Sequence, residues 1–77
     1  MAEARLIDAR GHRCPVPTLR LRRALEEAAP GAQVRLIADD PMARIDVPHF
    51  AASVGATVVD LTDGPNGAIS FLVAKAP

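Results

Sequence analysis

Apolar and polar residues follow short, regular periods along the chain, and these periods predict its secondary structure. The stretch 32–38 alternates, with Val34, Leu36 and Ala38 on one side, which is the pattern of a half-buried strand. The shorter stretch 4–9, ARLIDA, is also predicted to be a strand. Two strands are therefore expected in the first half of the chain.

A hairpin is predicted near the C-terminal end of the sequence. The turn sequence DGPNG separates two strand-like segments, 56–62 and 68–75. Glycine, asparagine and proline in such a cluster favour a tight reversal, so the two strands are expected to pair antiparallel. One face of the last strand carries Ile69, Phe71 and Val73, which predicts that this face is buried.

The segment 14–29 has the period of an amphipathic helix. Its apolar positions fall within a stripe about 100° wide, and the charged residues lie outside that stripe. The stripe consists of Pro17, Leu21, Ala24, Leu25 and Ala28. Pro30 and Gly31 are expected to end the helix, because proline cannot continue it and glycine favours the turn that follows.

A second, shorter helix is predicted after the strand at 32–38. Asp39 and Asp40 precede a proline and are expected to act as caps. We expect a loose turn at 41–45 and a helix at 47–54 that ends at Gly55.

The resulting order, β-α-β-α-β-β, predicts an α/β (α+β) two-layer sandwich. A strand, helix and strand in succession imply a right-handed crossover and parallel pairing of the first two strands. Two helices can cover one face of a mixed four-stranded sheet, so the other face is expected to be less buried. The order of the strands in the sheet does not follow from the pattern.

Length and composition narrow the class of protein. The chain has 77 residues, 49% of them hydrophobic, which suits a single domain spanning 1–77 with one core. Cys14 is the one cysteine, so no internal disulfide can form, and a reducing compartment is expected. The first residues lack the pattern of a signal peptide, and no stretch is long enough to span a membrane. We expect a soluble cytoplasmic protein that needs no cofactor and, because Cys14 and His12 are too few ligands for zinc, no metal.

Charge is distributed unevenly although the net charge is zero. Residues 1–35 contain seven arginines against four acids, one of which is Glu3, whereas residues 36–77 contain five aspartates against Arg44 and Lys75. The arginines around the cysteine are Arg10, Arg13, Arg20, Arg22 and Arg23. This surface is either a site for an acidic partner or a solvated helix face.

The sequence around Cys14 favours a reactive thiol. If Cys14 is the N-cap of the first helix, Pro15 and Pro17 occupy N1 and N3, where a missing amide proton costs little. The helix dipole and Arg13 are then expected to lower the pKa of the thiol below that of a free cysteine. The alternative is that Cys14 is a small buried hydrophobic residue.

These residues also resemble a known family. The segment LIDARGHRCPVPTLRLRRAL is similar to the signature of the TusA/SirA-like sulfur-carrier proteins, a Cys-Pro-x-Pro motif after a strand that ends in Asp and a Gly-x-x loop. Asp8, Gly11, Cys14, Pro15 and Pro17 match this signature. Downstream, ADDP followed by DVPHF resembles the second signature of the family, so the likeness covers essentially the whole chain.

The resemblance implies a sulfurtransferase that acts as a sulfur carrier. Cys14 would accept sulfane sulfur as a persulfide from a cysteine desulfurase or rhodanese-type donor and pass it to an acceptor protein, for example in tRNA thiolation. Asp8, Gly11, Arg13, Pro15 and Pro17 would support the thiol. His12 stands where the family usually has an apolar residue, and Val16 where it often has Glu, so both are expected to bear on partner choice.

A partner surface is expected beside the thiol, because arginine next to an apolar contact is common at interfaces. It is formed by Arg10, Leu19, Arg20 and Arg23.

Two other functions stay open from the residues alone, a nucleic-acid-binding module and a redox-regulatory module. Zero net charge and the lack of Trp and Tyr argue against direct nucleic-acid binding, which usually uses stacking platforms.

Overall fold

The computed structural model describes residues 4–77. The contribution of Glu3 to the charge balance and part of the N-terminal segment tested for a signal peptide lie outside these residues. The elements are β1 (Arg5–Asp8), α1 (Val16–Glu27), β2 (Gln33–Ala38), α2 (Ala43–Ser53), β3 (Thr57–Asp63) and β4 (Ile69–Ala74). Their order is the predicted β-α-β-α-β-β.

The four strands form one mixed sheet in the order β1-β2-β4-β3. β1 and β2 are parallel, with Ile7 opposite Leu36, which confirms the predicted parallel pairing. β3 and β4 pair antiparallel, which confirms the predicted hairpin. β4 also pairs antiparallel with β2, where Phe71 lies opposite Leu36, so the last strand is inserted into the middle of the sheet.

The core lies between the sheet and the two helices on one of its faces, as predicted. From the sheet, alternate residues of β2 and β4 are buried, among them Leu36 and Phe71, both with no exposed surface. From α1, four members of the predicted apolar stripe are buried: Pro17, Leu21, Ala24 and Leu25. Within residues 4–77 no helix covers the opposite sheet face, and Leu6 there is 60% exposed.

Helix α1 begins later than the sequence analysis predicted. Its first helical residue is Val16, and Pro15 occupies the N-cap position. Cys14 is therefore not the N-cap, and Pro15 and Pro17 do not occupy N1 and N3. The amide of Val16 donates to the carbonyl of Arg13 at 2.9 Å, which closes a turn ahead of the helix and places the thiol one residue before its cap.

Helix α2 is longer than predicted, since it begins at Ala43, inside the loose turn that was expected at 41–45. The amide of Ala43 donates to the Asp40 carbonyl at 2.9 Å, so helical hydrogen bonding starts at once. Pro48 lies inside the helix and removes one donor. Ala43, Val47 and Ala51, spaced one turn apart, are all buried, and this packing outweighs the lost hydrogen bond. Gly55, at φ +73°, ends the helix region as predicted.

Phe71 is the largest fully buried side chain and lies in the central strand. Phe71→Ala should lower the free energy of unfolding by about 3–5 kcal/mol, because it leaves a cavity between the sheet and both helices. Val59→Ala is the control. Val59 is half exposed and lies where the pairing of β3 with β4 shifts register, so the truncation should lower the free energy of unfolding by about 0.5 kcal/mol or less. Urea unfolding measures both, and equal effects would contradict this description of the core.

Candidate functional site

The site is built where two helices begin side by side. Cys14 lies in the loop between β1 and α1, and its residue is exposed rather than buried as the alternative reading had it. The peptide bond that joins it to Pro15 is cis. The loop that precedes α2 lies against the cysteine loop. Carboxylates of that loop and of α2 accept hydrogen bonds from the cysteine loop.

Asp40 connects the two loops through both of its carboxylate oxygens. The Cys14 amide donates to Oδ2 at 2.7 Å and the Met42 amide donates to Oδ1 at 3.0 Å. These backbone hydrogen bonds lower the pKa of Asp40, the one from Cys14 contributing most. Asp39 and Asp40 were predicted to act as caps, but the N-cap of α2 is Met42, which has no side-chain capping hydrogen bond. The buried Asp40 carboxylate instead joins the start of α2 to the cysteine loop.

The neighbouring carboxylate holds the same loop further upstream. The amide of Gly11 donates to Asp39 Oδ1 at 2.9 Å. Gly11 has φ +84°, a left-handed conformation in which a side chain would be strained, and this explains why the motif has glycine there. Successive aspartates thus fix the beginning and the end of the loop.

The thiol itself faces a carboxylate of α2. Cys14 Sγ donates to Asp46 Oδ2 at 2.7 Å. This hydrogen bond raises the pKa of Cys14, and desolvation and the negative charges of Asp46 and Asp40 add to it. The expectation that the helix dipole and Arg13 lower the pKa of the thiol was therefore wrong in direction, because a carboxylate in contact with sulfur outweighs them.

Asp8 and its arginines form the base of the loop. Arg10 donates to the Asp8 carboxylate from Nε at 2.9 Å and from Nη2 at 2.7 Å, and these contacts lower the pKa of Asp8 to about 2. Arg20 Nη1 donates to the Asp8 carbonyl at 2.8 Å. Arg10 and Arg20, predicted as partner-binding residues, thus also make contacts within the protein.

The remaining predicted site residues are placed as follows. Leu19 is 53% exposed. Arg23 lies on the surface of α1, with Nε 3.8 Å from Glu27 Oε2. Arg13 is exposed in the cysteine loop, and Pro17 is buried in the first turn of α1. Contact of Leu19, Arg20 and Arg23 with a partner stays a prediction.

A shallow cavity of about 480 Å³ opens beside the cysteine loop. Its lining residues are Gly11, His12, Arg13, Asp39, Asp40 and Pro41. Within residues 4–77 there is no cluster of three or more His, Cys, Asp or Glu that could hold a metal ion. In the same residues no helix is long and apolar enough to cross a membrane.

Asp46 is the site residue that the sequence analysis missed. It belongs to the DVPHF segment, which resembles the second signature of the family and was not predicted to contact the thiol. It lies 32 positions from Cys14, and only the parallel placement of the two helices brings them together. The sequence held one signal for this contact. Asp46 is an acidic residue at the start of the second helix, which was expected to lie next to the first helix.

Comparison with known proteins identifies the family of this chain. The family model described as sulfurtransferase TusA matches residues 5–75. The sulfur carrier protein TusA of Pseudomonas paraeruginosa is 36% identical over 71 residues, which are 92% of this chain and 90% of that protein. The same protein of Pseudomonas aeruginosa strain PAO1 matches equally well.

A solved structure agrees with the sequence comparison. A SirA-like protein from Desulfitobacterium hafniense superposes with a TM-score of 0.82 at 27% identity, over 94% of this chain and 97% of that one. Fold and sequence together define a small two-layer sulfur carrier with an exposed cysteine ahead of its first helix. The chain belongs to the TusA family, as its resemblance to the TusA/SirA-like proteins indicated.

Asp40→Asn should destabilise the protein and loosen the cysteine loop, because an amide cannot accept at both positions. The wild-type carboxylate has a lowered pKa in the folded state, so its contribution is present at neutral pH and disappears as pH falls below about 4. We expect the variant to melt several degrees lower at pH 7 and the difference to shrink in acid. Calorimetry at several pH values measures this, and a difference that is constant with pH would contradict the role of the charged carboxylate.

Proposed function

We propose that this protein accepts sulfane sulfur as a persulfide on Cys14 and delivers it to an acceptor protein. The observation that carries the proposal is the placement of an exposed thiol ahead of α1 in a chain of the sulfur-carrier family. A sulfur relay needs a thiol that a second protein can approach. Cys14 meets this requirement, since its loop projects from the carboxyl end of β1 and is exposed from residue 10 to residue 16.

The transfer is a thiol exchange that balances without a cofactor. The Cys14 thiolate attacks the terminal sulfur of a donor persulfide, a bond forms between the two sulfurs, and the donor S–S bond breaks. The electron pair of that bond goes to the donor cysteine, which takes up a proton. In the transfer to the acceptor, the acceptor thiolate attacks the outer sulfur of the Cys14 persulfide. The S–S bond of that persulfide breaks, and Cys14 is the leaving thiol.

The composition of the chain supports a carrier rather than a redox switch. Cys14 is the one cysteine in the sequence, so the chain holds no resolving thiol that could expel the sulfur as sulfide. The persulfide would therefore persist until a partner arrives. The shallow cavity beside the cysteine loop, which Pro41 also lines, offers room for the partner's sulfur-bearing segment.

The partners of such a relay are a donor and an acceptor. The donor would be a cysteine desulfurase or a rhodanese-type enzyme, and the acceptor would belong to a sulfur-incorporation route such as tRNA thiolation. Both are proteins, so direct contact with nucleic acid or with a membrane is not part of the proposal. The cytoplasm, where free thiols persist, is the proposed location.

Cys14→Ser should abolish sulfur acceptance and leave the fold unchanged, because the side chain is exposed and outside the core. After incubation with a cysteine desulfurase and cysteine, the intact mass of the wild type should rise by one sulfur atom. Wild type alkylated beforehand is the matched control and should gain nothing. If Cys14→Ser gains the sulfur, the carrier residue is misassigned.

A second test addresses the proposed partner surface on α1. Leu19→Ser combined with Arg23→Glu should slow sulfur transfer about tenfold at low salt, because apolar contact and electrostatic steering are both removed. Arg20 is left unchanged, since its guanidinium holds the Asp8 carbonyl. Rates of transfer from the desulfurase give the measurement, and alkylation of the thiol by iodoacetamide should be unaffected.

Arg22→Glu is the matched control for the charge reversal. Arg22 is exposed on the same helix, and its Nε lies 3.8 Å from Glu26 Oε2, the same distance as from Arg23 Nε to Glu27 Oε2. Arg22 also lines a groove together with Phe50, which Arg23 does not line. We expect Arg22→Glu to transfer sulfur nearly as fast as the wild type. Equal slowing by both reversals would mean that α1 acts through its overall charge and not through a defined surface.

A further inference from the structure

The contact between Cys14 and Asp46 has a consequence for when the thiol can react. Resting on the proposed carrier function, we propose that Asp46 is a positioning residue that keeps Cys14 protonated in the free protein, and that a cationic side chain of a docked sulfur donor pairs with Asp46 and frees the thiolate. The carrier would then react with its donor in preference to other electrophiles.

The first support is the geometry of the contact. Asp46 Oδ2 lies 2.7 Å from Cys14 Sγ, and the thiol is the donor. A carboxylate can accept this hydrogen bond only while sulfur holds its proton, and it repels the thiolate that forms afterwards. Asp46 lies in the first turn of α2, so the helix holds its carboxylate beside the thiol.

The second support is that Asp46 lacks a cationic partner. Within residues 4–77 no arginine, lysine or histidine forms an ion pair with it. Two other aspartates do have cationic partners. Asp8 pairs with Arg10, and Asp63 pairs with Arg44, the cation nearest to Asp46 along α2. Asp46 is half-buried, so one side stays open to a group that approaches the thiol.

The charged groups around the thiol come from three elements. Asp46 faces it from α2, Asp40 from the loop before α2, and Arg13 and His12 belong to its own loop. Arg13 acts on Asp40, whose pKa its positive charge helps to lower. Two carboxylates therefore act on Cys14, and the pKa of the thiol is raised accordingly. A partner lysine or arginine would reverse this balance at the moment of contact.

The chemical step is complete with the partner present. When the cation pairs with Asp46, the hydrogen bond from Sγ breaks and the thiol proton leaves to solvent. The thiolate attacks the terminal sulfur of the donor persulfide, the donor S–S bond breaks, and the donor thiolate takes up a proton from solvent. One sulfane sulfur changes carrier, and there is no net oxidation or reduction.

The first experiment measures alkylation by iodoacetamide, a neutral reagent, against pH. Asp46→Asn and Asp46→Ala should both shift the midpoint to lower pH and speed alkylation at pH 7. Nucleophilicity falls as a thiol becomes more acidic, so each tenfold gain in thiolate should raise the rate only about threefold. Asp46→Glu, which retains a carboxylate, should restore most of the wild-type profile.

Asp60→Asn is the matched control, because it removes the same charge from β3, where Asp60 accepts a hydrogen bond from Thr62 Oγ1. It should keep the wild-type profile. Circular dichroism confirms that each variant is folded, and the two different replacements of Asp46 guard against the loss of one of them. If both keep the wild-type midpoint, Asp46 does not control the thiol.

The second experiment tests the requirement for a cation with small disulfides of different charge. The wild-type thiol should react faster with cystamine, which is cationic, than with dithiodiglycolate, which is anionic. Asp46→Asn should reduce this preference severalfold, and Asp60→Asn should keep it. A wild type without preference, or an unchanged preference in Asp46→Asn, would overturn the proposal.

These experiments separate this inference from the proposed function. Neither alkylation nor disulfide exchange requires sulfur transfer, whereas the mass gain from a desulfurase tests the transfer alone. A wild type that gains sulfur but shows no effect of Asp46 retains the carrier function without this control. A thiol controlled by Asp46 that never gains sulfur retains the control and loses the function.

Discussion

The two hydrogen bonds that the Asp40 carboxylate accepts hold the site together. One comes from the Cys14 amide and the other from the Met42 amide, so a single side chain joins the loop that carries the thiol to the start of α2. Without that bridge, an exposed loop with glycine at its beginning would have many conformations. The parallel arrangement of α1 and α2 over the sheet is what makes the bridge possible, because it brings the beginnings of both helices to the same edge.

The same arrangement determines the chemistry of the thiol. A helix start and an adjacent arginine favour an anion, and the local sequence predicted an acidified cysteine on that basis. Asp46 reverses the expectation because direct contact with a carboxylate acts over a shorter distance than the dipole or an exposed guanidinium. The site therefore combines an accessible thiol with surroundings that hold its proton.

Much of the fold could be predicted because it depends on local patterns. The apolar stripe of α1, the alternation in β4 and the turn residues between β3 and β4 each reflect the period of the element to which they belong. The start of α2 was harder, since the helix was expected at 47, whereas the burial of Ala43 one turn before Val47 extends it back to Ala43. The position of β4 between β2 and β3 and the contact of Asp46 with Cys14 depend on tertiary packing, which no window of sequence contains.

The central claim is that sulfur travels on Cys14 from one protein to another. The most direct measurement follows isotopically labelled sulfur from cysteine, through a desulfurase, into this protein and then to an acceptor thiol, with peptide mapping at each stage. The account predicts that the label appears on the peptide containing Cys14, is released by a reducing agent, and moves to the acceptor when it is added. Label on any other peptide, or label that stays on Cys14 after a competent acceptor is supplied, would contradict it.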